Sequence, residues 1–267
     1  MSAETIATPA RDVSLNELSE RLVWILGPAR GGGGRLLRAL AHPDIVEIND
    51  LGLSPHLAPI VWIPDGEYFS HNRNAEDPSY FFAEQYLPEL GPELAELVTR
   101  QLSRQVRELG EARARWVVVN EPEAHAADSI LRLLPRSRTI LLLRDGREVV
   151  AESVRHAADR PPARRSALLQ RLATQWVQRT AALQRALAAT DEGRRLLVRY
   201  EDFAADPSGV RRAVWAWLGI APAADDAALF DPAEASTADW SRELEEAERE
   251  PLLRIMGEKL REVGYGD

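Results

Sequence analysis

The chain has 267 residues, 33 basic and 42 acidic, giving a formal net charge of −9, with 45% hydrophobic residues and no cysteine. This composition suits one full-sized domain or two small ones, of which a single domain over 1–267 is expected, and excludes disulfides, thiolate metal sites and cysteine nucleophiles. The acidic balance lacks the basic footprint of a nucleic-acid or anionic-membrane binder, and no stretch approaches the roughly 18 apolar residues of a membrane span.

Residues 1–20 contain no basic segment leading into an apolar run, so a cytoplasmic location is expected. Leu22-Val23-Trp24-Ile25-Leu26 is a continuous apolar run that stops at Gly27, the pattern of a strand buried on both faces. After Gly27-Pro28-Ala29-Arg30-Gly31-Gly32-Gly33-Gly34 come Leu36, Leu37 and Leu40, one face of a helix. Strand, glycine loop and helix open an α/β nucleotide-binding fold, because such a turn presents backbone N–H groups to a phosphate. The pattern is not the ATP or GTP loop, since Gly33 and Gly34 stand where lysine and a hydroxyl residue are required.

Residues 51–92 have no clear period and are expected to form a lid or substrate-covering insertion, with a helix over 93–110. Aromatics in that stretch could wall an apolar pocket. Trp116 to Val119 reads as a strand followed by a helix through Ile130 to Leu134, and Thr139 to Leu143 as a strand followed by a helix from Glu148 to about Ala157. Parallel βαβ units follow from that order. Leu169, Leu172, Trp176, Leu183 and Leu187 mark a long amphipathic helix, and Leu196-Leu197-Val198 a further buried strand. A helix from Pro207 ends at Gly219, and a charged helix is expected from Ser241 to about Val263. The fold class is α/β: a mostly parallel central sheet flanked by helices.

Several motifs now resemble one family in order and spacing. The glycine loop followed by Arg35-Leu36-Leu37 is similar to strand-G-x-x-R-S-G-T-T-L-L, and His42-Pro43 to the pair that follows it. Arg144-Asp145-Gly146-Arg147-Glu148-Val149-Val150 is similar to R-D-P-R-D-V-V, Tyr200-Glu201-Asp202-Phe203 to Y-E-D-L, Trp217-Leu218-Gly219 to F-L-G, and Gly264-Tyr265 to a terminal G-Y. Over roughly residues 22–265 the chain resembles the bacterial sulfotransferases that use 3′-phosphoadenosine 5′-phosphosulfate (PAPS). The resemblance implies a P-loop-like sulfotransferase fold and a donor held by Gly27, Arg30, Gly31, Gly32, Gly33, Gly34 and Arg35 around the 5′-phosphate, with Arg144 and a helix serine on the 3′-phosphate.

The departures fall on those donor contacts. Glycines replace the loop hydroxyls, and the family's Lys-x-Pro, whose lysine acts as general acid and charge clamp, aligns with Asn120-Glu121-Pro122. Lys259 is the one lysine in the chain. Eight residues after Arg144 stands Glu152, with Ser153 one place further. A single step is a rotation of about 100° on a helix, so Ser153 is expected to face elsewhere, while a carboxylate repels a phosphate at short range. Asp239 likewise occupies the place of a basic residue before Trp240. Charge-assisted contacts are worth about 1.5–3 kcal/mol each, so three losses could exceed 4 kcal/mol, or roughly a thousandfold in donor affinity.

New side chains at the strand ends are the candidates for new chemistry. Glu121, Glu123 and His125 follow the Trp116 strand, where a carboxylate and an imidazole could serve as general acid and base. Their alternative is a surface or helix-dipole role. Asp50 resembles the base that deprotonates an acceptor hydroxyl, and period two places it on the face of Val46 and Ile48; an Asx turn is its alternative. No His spacing suits a metal. The preferred reading is a diverged sulfotransferase-fold enzyme acting on a small organic molecule by acid–base chemistry, with no required cofactor. The alternatives are a PAPS-dependent sulfotransferase acting on a small-molecule hydroxyl, and a non-catalytic binding protein on the same fold. The oligomeric state is left open.

Overall fold

The structure, a computed structural model, describes residues 15–49, 80–109, 114–121, 127–155, 162–222 and 239–266. Five parallel strands form one sheet: β1 (Leu22–Leu26), β2 (Ile45–Asn49), β3 (Trp116–Glu121), β4 (Arg138–Leu143) and β5 (Arg195–Arg199), in the order β2-β3-β1-β4-β5. Alternation within the central strands feeds two cores. Trp24, Val117, Val119 and Leu141 face one layer, and Val23, Ile25, Val118 and Ile140 the other. Strands apolar on both faces need helices on both, and that requirement fixes a three-layer architecture.

The first layer is built from α1 (Leu15–Arg21), α3 (Tyr80–Glu108), α4 (Ala127–Leu133) and part of α6 (Pro162–Ala188). The opposite layer holds α2 (Gly33–Ala39), α7 (Tyr200–Ala205) and α8 (Pro207–Leu218), whose Trp215 is fully buried. A third apolar cluster joins α5 (Gly146–Arg155) and α6 to α9 (Trp240–Glu243) and α10 (Glu246–Glu262). Among the described residues no helix is long and apolar enough to cross a membrane.

Three elements differ from the sequence expectation. The helix expected from 93 starts at Tyr80, with Pro88, Gly91 and Pro92 inside it, the three residues that break its pattern in sequence. The terminal helix is interrupted at Leu244 and Glu245. Leu244 is buried in the third cluster, while Glu245 forms a reciprocal capping box with Glu248 to restart the helix. The strand expected to be buried at 196–198 is a sheet edge, so Leu197 is 49% exposed.

Pairing aligns the strand ends. Leu26 lies opposite Glu121 on one side and Leu141 on the other, and Leu143 opposite Arg199. The crossover from β1 runs past β3 to β2, whereas the one from β3 runs past β1 to β4. These opposite crossovers open a crevice at the carboxyl end of β1, the location where open α/β sheets bind ligands.

Candidate functional site

The crevice is floored by the loop after β1. Gly31 N–H donates to the Pro28 carbonyl at 2.8 Å, and the Arg35 and Leu36 N–H groups to the Gly32 carbonyl at 2.9 and 3.0 Å, which starts α2. Arg30 has φ 62° and Gly32 φ 92°, so a non-glycine residue carries left-handed strain inside the loop. A Cβ at Gly33 would stand 2.1 Å from Asn120 Oδ1, and one at Gly32 would stand 2.2 Å from the Tyr200 ring. The side chain missing at 33 therefore leaves the room that the Asn120 carboxamide fills. Asn120 in turn donates to Asn49 Oδ1 at 2.8 Å, tying the ends of β3 and β2.

A cavity of about 360 Å³ lies over this loop. Gly27, Gly31, Gly32, Gly33 and Gly34 form its base, Arg30, Arg35 and Arg38 its cationic side, and Asn49 and Asn120 its opposite side. Arg35 also donates to the Tyr200 hydroxyl at 2.7 Å. Three guanidiniums beside a run of loop amides can hold a phosphate- or sulfate-sized anion. One carboxylate, that of Glu152, reaches the same wall.

Arg144 lies behind the loop, 1% exposed, and is engaged on every side. It donates to the Arg30 carbonyl at 2.9 Å and to Glu152 at 2.7 Å, approaches Glu148 at 3.4 Å, and stacks 4.5 Å from the Tyr200 ring centre. Its contact with the Arg30 carbonyl pins the strained loop residue. Arg144, Glu148 and Glu152 are spaced by four, so the short link after β4 and the first turns of α5 present them as one ladder. Ser153 does not line the glycine-loop cavity. Its hydroxyl donates to the Val149 carbonyl at 2.8 Å and faces a second cavity of about 250 Å³ between α5 and α6. Pro28 and Arg30 line both cavities and divide them.

Glu148 was not singled out by sequence reasoning, although its spacing from Arg144 was legible. Burial pushes its carboxyl up to about 7, against the opposing pull of Arg144 and with help from Glu201 and Asp145. The folded state therefore binds more protons here than the unfolded state between pH 4.5 and about 7. Stability should fall as pH rises through that window and then level off. Glu148→Gln should remove a difference on the order of 2 kcal/mol from urea unfolding curves taken at the two ends of the window.

The other sequence candidates are placed as follows. Glu121 is fully buried at the end of β3, one residue beyond the cavity-lining Asn120, and borders neither of the two cavities. Asp50, Glu123 and His125, and the segment 51–79, lie outside the described residues, as do the side chains at the start of α3. Asp239 caps α9, accepting from Ser241 N at 3.1 Å and pairing with Arg242 at 3.0 Å. That contact lowers its carboxyl pKa, chiefly through the Ser241 hydroxyl, and accounts for an acidic residue before Trp240. Sequence reasoning missed Arg38 and the Asn120–Asn49 pair. Arg38 follows Arg35 by nearly one helical turn, a readable signal, whereas the asparagine pair depends on a sheet register.

Comparison with known proteins places this geometry. The family described as the sulfotransferase family matches residues 24–225. A sulfotransferase from Alicyclobacillus acidocaldarius is similar in fold, with 20% identity, TM-score 0.54, and 90% of this chain covering 92% of that one. Sulfotransferase STF9 from Mycobacterium avium is 14% identical with TM-score 0.52, covering 93% of this chain and 78% of that one. Mouse sulfotransferase SULT7A1, solved in complex with PAP, is 10% identical with TM-score 0.52, covering 92% and 89%. No curated protein gives a significant sequence match. With the family match running from β1 through α8, across the glycine loop and the Arg144 ladder, the chain belongs to the sulfotransferase family.

Proposed function

We propose that this protein is a sulfotransferase-family enzyme that acts on a small organic molecule by acid–base chemistry, without productive use of PAPS. The observation that carries this reading is the 2.7 Å ion pair between the buried Arg144 and Glu152. The glycine-loop half of the site fits a phosphate, with Arg30, Arg35 and Arg38 on its rim. The other half does not fit a second phosphate. Arg144 already serves a carboxylate there, and an incoming phosphate would meet that negative charge in a region of low water content. Asn120 brings no charge or proton where the family carries lysine.

The chemistry left to this chain is positioning and proton transfer. The loop amides and three arginines bind and orient an anionic group. His125 and Asp50, in the segments that follow β3 and β2, are the proposed acid–base groups, while Glu121, fully buried and on the strand face opposite to Asn120, would act only if the site opens to it. A second reading, a PAPS-dependent sulfotransferase with Asp50 as base, is favoured by the retained cationic side of the cavity.

Isothermal titration calorimetry with adenosine 3′,5′-bisphosphate, which carries both phosphates of PAPS but cannot turn over, separates the two. The proposed function expects no heat and no thermal shift up to about millimolar ligand. Binding near micromolar that Arg144→Ala weakens would establish the second reading instead.

A further inference from the structure

The strand end that carries Arg144 is tied to the turn after α10. Register places Leu143 of β4 opposite Arg199 of β5, so the residues that follow them, Arg144-Asp145 and Tyr200-Glu201, run side by side. Glu201 bridges outward from that pairing. One of its carboxylate oxygens accepts from the Asp145 backbone N–H at 2.8 Å, and the other from the Tyr265 hydroxyl at 2.8 Å. Tyr265 is delivered by a left-handed turn. Gly264 at φ 82° closes α10, its N–H donating to the Arg261 carbonyl at 3.1 Å and the Tyr265 N–H to that of Leu260 at 2.8 Å, the paired bonds of a Schellman cap. Arg199 clamps the turn, donating to the Val263 carbonyl at 2.6 Å with its guanidinium 4.9 Å from the Tyr265 ring centre. Burial and the Glu201 carboxylate hold the Tyr265 hydroxyl above its ordinary pKa, so it stays a donor.

We propose that Glu201 and Tyr265 are positioning residues of the glycine-loop site, holding the link that carries Arg144 so that its guanidinium stays on the Arg30 carbonyl and on Glu152. Two effects act in the same direction. The bond to the Asp145 N–H fixes the backbone one residue from Arg144, and Trp176 Nε1, donating to the Arg144 carbonyl at 3.3 Å, fixes it from the α6 side. With burial, the charges of Glu201 and Asp145 oppose ionisation of Glu148. A Glu148 that keeps its proton pulls weakly on Arg144, and the guanidinium stands 3.4 Å from Glu148 but 2.7 Å from Glu152 and 2.9 Å from the Arg30 carbonyl. The charged groups about Glu148 are thus Arg144 and Glu152 on its own ladder, Asp145 in the link and Glu201 on α7. Tyr265 lines neither cavity and acts through Glu201. The inference goes beyond the choice of reaction, since the glycine loop floors the site under either reading.

Hydrogen–deuterium exchange of the full chain tests this, read on peptides covering 27–36, where the Gly31, Arg35 and Leu36 amides are hydrogen-bonded. Tyr265→Phe, which removes one hydroxyl, should speed exchange there by at least about threefold, a fraction of the roughly 10–150-fold that a bond to a charged group is worth at its own place. Arg165→Met breaks the 2.6 Å ion pair to Glu248 at the other end of α10, and should loosen the same helix while leaving exchange at 27–36 within about twofold. Glu201→Gln should also speed loop exchange. Unlike a structural loss that lowers stability evenly, it should lower the pH at which the Glu148-dependent fall in stability levels off, because a charge that raises the Glu148 pKa is gone. Should Glu201→Gln fail to fold by circular dichroism, Tyr265→Phe and Arg165→Met carry the test. A rise below about threefold in Tyr265→Phe, an equal rise in Arg165→Met, or an unmoved pH window in a folded Glu201→Gln would overturn the proposal. These measurements contain no nucleotide, so bisphosphate binding that overturned the proposed function would leave them unaffected.

Discussion

Replacing Glu152 with serine should make the chain bind adenosine 3′,5′-bisphosphate at least about tenfold more tightly than wild type. In the wild type, the Glu152 carboxylate takes an Arg144 N–H at 2.7 Å and forms part of the glycine-loop cavity wall, so it both occupies the cation and repels an incoming phosphate. Serine removes the charge and returns one guanidinium donor, and a charge-assisted hydrogen bond is worth about 1.5–3 kcal/mol, or roughly 10–150-fold in affinity. Glu148, 3.4 Å away, keeps part of the competition and holds the gain near the lower end. The ligand-free variant should melt below wild type because a nearly buried charge has lost a partner, and saturating bisphosphate should restore it, by about 2.7 kcal/mol at a hundred times the Kd. Glu152→Gln, whose amide oxygen can still accept from Arg144, should fall between the two. If Glu152→Ser binds no better than wild type, the ion pair is scaffolding and the closed-site argument fails.

Arg144→Met should have the largest effect on stability. Met retains an apolar stem of similar reach, so the loss reports charge and hydrogen bonding more than volume. The substitution leaves Glu148 and Glu152 facing each other without their cation, frees the Arg30 carbonyl and removes the stack on Tyr200. Breaking a buried pair in this way costs about 3–5 kcal/mol, which for a chain of this size is a fall in Tm of roughly 6–20 °C. The double variant Arg144→Met, Glu152→Met should regain part of that loss, because two apolar side chains carry no uncompensated charge. Urea unfolding of the four members of this cycle gives the coupling directly. A single-variant cost under about 1 kcal/mol would mean that the ladder is not a structural element.

How much of this was readable from the chain depends on the kind of contact involved. The central strands were legible because burial on both faces leaves an unbroken apolar run, as at Leu22–Leu26 and Ile140–Leu143. The edge strand was misread as buried because Leu196-Leu197-Val198 has the same local look, and only its place at the end of the sheet exposes Leu197. The start of α3 was hidden by Pro88, Gly91 and Pro92, which lower helix propensity without preventing a helix supported by its neighbours. At the site, the rotation of Ser153 away from Glu152 followed from helical geometry alone, and the Arg144, Glu148, Glu152 ladder was available from spacing. The Asn120 contact with the glycine loop was not. It joins residues 33 and 120 through two parallel strands and a crossover, and no local pattern encodes that register.

The fit between Gly33 and Asn120 also governs how the loop can change. A hydroxyl side chain at 33 would have to displace the Asn120 carboxamide from a position where it is buried and bonded to Asn49. A longer side chain at 120, such as lysine, would need its own path out of the same space. Each position thus sets the residues tolerated at the other, and a single exchange at either meets a clash or an orphaned amide. A hydroxyl residue at 33 is therefore expected to be accommodated better together with a shorter side chain at 120 than alone.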